Sequence, residues 1–210
     1  MKIVLSLDLS TKTGWAYYEN KELISYGTIF LDKKAKDFGE YPLNFVSFAD
    51  EIFKKITDKV DGFIIGSNES VVVIEETTSS KNNYSQKILE YIHYRIVNHY
   101  CDFTDVKYVR TGVWRKFVGA YQNADERKYN SKINRLKAKE KKAGRRKIAK
   151  IDGKITRALN RKDYALRAFK EIFGKELPYS MNDACDAALL GLAYIKGAPV
   201  CDGTVRGGIL

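Results

Sequence analysis

The stretch KIVLSLDLSTKTGWAYYENKELISYGTIF, residues 2–30, decides the fold. KIVLSLDL (2–9) is a short apolar run of the kind that makes a buried strand. TGWAYYEN and ELISYGTIF follow, parted at Asn20-Lys21, which is a hairpin signal. Three strands in an antiparallel meander are therefore expected. Outward from there, LNFVSFADEIFKKITDKV (43–60) sets Phe45, Phe48, Ile52, Phe53 and Ile56 on one helical face. VVVIE (71–75) is a β-branched run and reads as a fully buried strand. A polar loop, ETTSSKNNY, leads to a helix over 85–100 with Ile88, Leu89, Ile92, Ile96 and Tyr100 along one side. VKYVR (106–110) is a fifth strand, VWRKFVG a short helix, and further helices are expected at 163–173 and 182–195. The order βββ-α-β-α-β-α gives an α/β class with a mixed five-stranded sheet flanked by helices.

A chain of 210 residues holds one sizeable core with an insertion. At 44% hydrophobic and 12% aromatic it is globular, and nowhere does it run apolar for the roughly eighteen residues of a membrane span. The opening MKIVLSLDLS is interrupted by Ser6 and Asp8, so it reads as a strand and not as a signal peptide. Cys101, Cys185 and Cys201 form no CxxC pair, and with no secretion signal they imply reduced thiols and a cytoplasmic protein.

The net charge of +11 is concentrated. Between Arg127 and Lys162 stand sixteen Lys/Arg against Glu140 and Asp152, so this block carries +14 and the remaining 174 residues −3. Such a block is the footprint of a polyanion-binding arm. Ile148, Ile151, Ile155 and Leu159 recur at 3, 4 and 4, so a basic helix with one apolar stripe is expected there, weakened at Gly153. One domain over 1–196, a basic helical insertion over 125–165 and a loose tail over 197–210 follow.

The acids pose the functional question. NDACDAALLGLAYI (182–195) has the composition of a buried helix, yet Asp183 and Asp186 share a face of its first turn. Either Asn182 or Asp183 is the N-cap and the acids complement the helix dipole, or the two aspartates belong to a site. Asp8 closes an Ile/Val/Leu strand and Glu75 closes the VVVI run. Carboxylates at such places need partners. Asp8 capping the Ser10-Thr11 turn and Glu75 pairing with an arginine are the structural alternatives. Glu76 faces away from Glu75, because neighbours on a strand alternate.

Taken together, LSLDLSTKTGWAYY with its hairpin, VVVIEE opening onto a long helix, and NDACDAALLGLAY resemble the RuvC-like Holliday-junction resolvases of the RNase H-like superfamily, nearer the small phage type than the cellular enzyme. The resemblance covers 1–110 and 178–196 and leaves the basic insertion unexplained. It implies an RNase H-like fold with Asp8, Glu75, Asp183 and Asp186 as catalytic metal ligands, Ala187 completing a D-x-x-D-A pattern. Cellular members carry an aromatic in the loop after the Glu. Here that loop reads TTSSKNN, so the resemblance does not extend to a base-unstacking residue. Clustered carboxylates repel one another, and Mg2+ or Mn2+ prefers such oxygen ligands. Two ions about 4 Å apart activate a water and stabilise the leaving oxygen of a phosphodiester. No histidine is needed, so His93 and His99 read as packing residues.

A metal-dependent, structure-selective DNA endonuclease acting on four-way junctions and other branched DNA is therefore expected, with roles in recombination and repair. Lys81, Arg110, Arg115, Lys116, Lys141, Lys142, Arg145, Arg146 and Lys147 are the expected DNA contacts. A four-way junction has approximate two-fold symmetry, so a homodimer is expected, through the helix over 85–100 with its extra Tyr91, Tyr94 and Val97. Alternatives are a catalytically idle nucleic-acid-binding or RNA-processing relative, a ribonuclease H, and a fragment of an actin-like ATPase, whose phosphate loop LDLSTKTG also resembles.

Overall fold

The computed structural model describes residues 2–67, 69–76, 83–143, 149–151 and 154–202. The expected meander is present. Strands β1 (Ile3–Asp8), β2 (Lys12–Glu19) and β3 (Glu22–Phe30) pair antiparallel in succession. Asn20 and Lys21 join β2 to β3 with φ of 47° and 75°, the two positive values of a tight hairpin turn. Helix α1 (Leu43–Ile64) crosses over to β4 (Ser70–Glu76), which lies parallel beside β1. Helix α2 (Asn83–Tyr100) leads to β5 (Asp105–Arg110), parallel to β4. Then come α3 (Thr111–Phe117), α4 (Ala124–Lys142), a small hairpin of β6 (Ala149–Ile151) and β7 (Lys154–Thr156), α5 (Arg161–Phe173) and α6 (Asn182–Ile195).

The five expected strands make the sheet, in the order β3-β2-β1-β4-β5, and a sixth short strand, β8 (Cys201–Asp202), adds at the β5 edge. Within the segment expected to be loose, Cys201 and Asp202 thus pair with the sheet, and 203–210 lie outside the described residues. This pairing covers backbone groups of Lys107 and Tyr108 that an edge strand would leave unpaired.

Alternation along the strands splits the core in two. Leu5, Leu7, Val72 and Ile74 pack with α1 and α2, where Ile52, Ile56, Ile92 and Ile96 are buried. Val4, Ala16, Tyr18, Val71 and Val73 face the other way, onto Trp114, Phe169, Leu189 and Leu190. Helix α6 is fastened to that second face. The Ser6 hydroxyl donates to Ala187 O at 2.7 Å, and Tyr18 Oη donates to Ala188 O at 2.5 Å. Small residues permit the approach. A Cβ on Gly191 would stand 2.6 Å from Ser6 Oγ, and one on Gly14 only 1.9 Å from Asp183 O.

The basic segment differs from expectation. Its helix lies earlier, over α4, where Asn123 caps the start in a reciprocal box with Glu126. Of the stripe Ile148-Ile151-Ile155-Leu159, the described members are not helical: β6 and β7 flank Asp152-Gly153, a strong hairpin dipeptide, and β-branched Ile and Thr favour strands. Ile148, Asp152 and Gly153 themselves lie outside the described residues. Arg167 anchors α4 to α5, donating from Nε to Glu126 Oε1 at 2.7 Å.

Candidate active site

The parallel strands β1, β4 and β5 all end at one edge of the sheet, where open α/β sheets bind ligands. Leu7 pairs with Ile74, so the next residues along, Asp8 and Glu75, stand side by side. Both share the parity of the face that carries α6. Asp8 is also opposite Gly14 on β2, the residue against which the Asp183 backbone packs. Register and the glycine contact together set Asp8, Glu75, Asp183 and Asp186 near one another.

The capping alternative for α6 does not hold. Its N-cap is Met181, with no side-chain cap bond, and Asp183 instead receives Asn182 Nδ2 at 2.5 Å. Ser10 and Thr13 serve the turn that Asp8 was a candidate to cap. Glu76 faces away and takes Arg110 Nε at 3.0 Å, on the surface.

Electrostatics report the crowding. Burial pushes the Asp8 carboxyl well above its ordinary range, and Glu75, Asp186 and Asp183 push it further, against a lowering pull from Arg115. Burial also raises Asp186, to about 7; Arg115 opposes this, while Glu75 and Asp183 add to it.

Glu75, Asp183 and Asp186 each have a side-chain partner. Glu75 accepts from the Thr111 hydroxyl on one oxygen and from Trp114 Nε1 at 3.0 Å on the other. Asp183 lies 3.2 Å from Lys12 Nζ and 3.6 Å from Lys162 Nζ. Asp186 Oδ2 accepts from Arg115 Nη2 at 2.9 Å, while its Oδ1 is buried without a partner. Accordingly, among the described residues no three His, Cys, Asp or Glu side chains are drawn together tightly enough to hold an ion as they stand. The donor set nevertheless suits a hard divalent cation: carboxylate oxygens only, one of them an orphaned acceptor inside the cluster.

Arg115 departs from its expected place on a DNA-binding surface. Its side chain is 8% exposed, stacks on Trp114 and is spent on Asp186 and the Arg161 carbonyl. Lys116, Lys141 and Lys142 are exposed, and Arg110 is exposed but paired with Glu76. Lys81, Arg145, Arg146 and Lys147 lie outside the described residues. Lys12, Lys162, Thr111 and Trp114 were missed by the sequence reading. The available signal was position, since Thr111 and Trp114 follow directly on the strand beside Glu75. His93, buried against Tyr108, and His99, on Asp61, are packing residues as expected.

No family model matches the chain, and no curated protein matches its sequence. Among solved structures it is similar to Thermus thermophilus RuvC in complex with a Holliday junction substrate, at 12% identity and a TM-score of 0.52, over 96% of this chain and 100% of that one. A second Thermus thermophilus RuvC structure aligns at 13% identity and a TM-score of 0.45, over 95% and 99% of the two chains. The chain therefore has the RuvC-type, RNase H-like fold that the sequence resemblance implied.

Proposed function

From this RuvC-type fold we propose a divalent-metal-dependent DNA endonuclease that nicks four-way junctions and other branched DNA. The observation that carries the reading is the convergence of Glu75, Asp183 and Asp186 on Asp8, from two strands and a helix. Asp8, Glu75, Asp183 and Asp186 would hold Mg2+, or Mn2+ in its place, two ions per site. When bound, such a pair supplies an activated water and neutralises the leaving oxygen of an in-line hydrolysis. The protein's own contribution is to aim the ligands. Thr111 and Trp114 fix the Glu75 carboxylate from both sides, and Arg115 fixes Asp186. Lys12 and Lys162, now on Asp183, are cations a phosphate would meet on entering.

The grip on DNA falls to the basic segment. Lys128, Lys132, Arg135 and Lys139 line one groove along α4, and Lys116, Lys141 and Lys142 are exposed nearby in sequence. Two nicks in strands of like polarity call for a C2 homodimer, with the helix over 85–100 as its interface. No described helix is long and apolar enough to cross a membrane. Action on phage or host DNA in the bacterial cytoplasm is part of the same reading.

One observation favours a second reading, a catalytically idle nucleic-acid-binding protein: the ion pairs on Asp183 and Asp186 already balance much of the cluster. Incubating the protein with a four-way junction, a fork, a linear duplex and an RNA–DNA hybrid, each in Mg2+ and in Mn2+, separates the readings. Junction nicks that disappear in Asp8→Asn while junction binding persists are expected. Full activity in Asp8→Asn sinks the metal-site assignment, and binding without cleavage in either metal favours the idle protein.

A further inference from the structure

Beside the carboxylate cluster lies a groove of about 900 Å3, bounded by the end of β3, the segment after it, the start of α2 and the turn before α6. Its size is within the range of ordinary ligand sites, roughly 300–1,000 Å3. The floor is apolar, built from Phe48 and Ile88 of the core. Phe30 stands at the mouth, 52% exposed, where an edge-strand phenylalanine contributes little to folding. The rim is cationic: Lys12, Lys33 and Lys34 line it, and among the described residues no Asp or Glu does. Lys12 belongs to both sites. Its Nζ donates to Ser180 O at 2.6 Å, itself part of the groove wall, and lies 3.2 Å from Asp183 Oδ2. The groove and the carboxylates therefore share a wall.

We propose that this groove seats one unstacked nucleotide of the DNA strand being cut, its base on Phe30 and its flanking phosphates on Lys33 and Lys34. The assignment rests on the nuclease reading above and adds to it where the strand lies. A channel for backbone alone needs cations but no apolar floor. Stacking a base needs an aromatic face, and every base offers one. The three lysines of the rim draw in a polyanion. Branched DNA suits the site because bases at a crossing are less costly to unstack than those inside a duplex. The groove also gives the protein an aromatic outside the TTSSKNN loop to hold a base.

The test uses the full chain in EDTA, so that nothing is cut, with a single strand of about twelve thymidines carrying one 4-thiothymidine as a photo-crosslinker. Crosslinks mapped by mass spectrometry are expected at Phe30 or at residues of the groove wall. Phe30→Ala should weaken binding of this strand on the order of tenfold. The double variant Lys33→Gln/Lys34→Gln should flatten the log–log salt slope by about 1.4, at 0.7 per single-strand contact. Both variants should bind linear duplex as the wild type does, and matching melting curves confirm their folding. Crosslinks confined to other surfaces, or variants that lose single strand and duplex alike, overturn the groove assignment even while the junction is still nicked. A wild type that neither binds nor nicks a junction overturns the nuclease reading, and the groove assignment with it.

Discussion

Arg115 Nη2 donates to Asp186 Oδ2 across 2.9 Å, with both side chains less than a tenth exposed. The pair is incomplete: Asp186 Oδ1 and Arg115 Nε are both buried without partners. Buried ion pairs contribute little net stability as a whole, but removing one partner is costly because the other charge is left uncompensated. The guanidinium thus pulls down the pKa of a carboxyl that burial and two further acids raise.

Arg115→Met should therefore act on Asp186 before it acts on anything else. Without the cation, the carboxyl should titrate above its present value of about 7. The folded protein should lose about 3 kcal/mol at pH 8, where Asp186 must either stay charged without its partner or take up a proton from a dilute supply. Less should be lost at pH 5, where it is neutral. Carboxyl-carbon NMR and urea unfolding at the two pH values check this. An unmoved Asp186 would place its control elsewhere.

The same shift fixes how metal-free stability varies with pH. Asp186 is raised from its unfolded value near 4 to about 7, so the native state holds the proton more tightly. Its contribution is complete below about pH 4 and is lost as pH rises toward and through 7. In that window the slope should approach about 1.4 kcal/mol per pH unit for one proton. Asp8, also raised, steepens it. Asp186→Asn should flatten the profile, measured by denaturant unfolding in EDTA from pH 4 to 8. Stability rising with pH across this window would contradict the assignment.

These groups show where the sequence was readable. Asp8 and Glu75 could be picked out because an acid closing an apolar strand must be compensated there, and Asp183 and Asp186 because i and i+3 share a helix face. The meander and the crossover helices followed from periodicity for the same reason: one face of each is buried. What pairs the acids was not readable. Arg115 looks like any cation in a basic chain, and only the packing of Trp114 into the core turns it inward. The 148–159 stripe failed because a spacing of four satisfies both a helix and the two arms of a hairpin. There Asp152-Gly153 carried the better information.

Gly14→Ala tests the approach of α6. A Cβ there would lie 1.9 Å from Asp183 O and 2.9 Å from Ala184 N, both backbone atoms that cannot swing away. The helix start must move, and Asp183 with it. Overpacking of this kind costs roughly 1–3 kcal/mol. The expected outcome is a lower melting temperature together with nicking lost more completely than junction binding. Wild-type nicking in a folded Gly14→Ala protein would show that Asp183 is not held by this contact.

Neutralising the α4 groove should change the salt dependence of DNA binding. Lys128, Lys132, Arg135 and Lys139 all line it. Each phosphate contact removed from duplex flattens the log–log slope by about 0.9. Changing all four to Gln should weaken junction and linear duplex alike, measured by anisotropy across a salt series. An unchanged slope would make α4 a solvated face.

The surface of α2 left for the proposed dimer is narrower than the sequence suggested. Ile88, Ile92, Ile96 and Tyr100 of α2 are spent on the sheet, and Tyr91 and Val97 are partly buried against that same core. Tyr94 is left, 58% exposed, the most open large apolar side chain among those described on α2. Tyr91 lies beside it at 6.4 Å between ring centres, and Arg95 reaches back over Tyr91, so the patch is aromatic with a cationic edge. Across a two-fold axis such a patch meets its own copy, and burying one large apolar side chain contributes roughly 1.5–3 kcal/mol. Tyr94→Glu would place two like charges at the axis and leave the core untouched. Light scattering should then show a shift from dimer to monomer at unchanged melting behaviour. On a junction held in a supercoiled cruciform, paired nicks should give way to single ones. A wild type that is monomeric with and without junction, yet still cuts in pairs, would rule out the symmetric dimer.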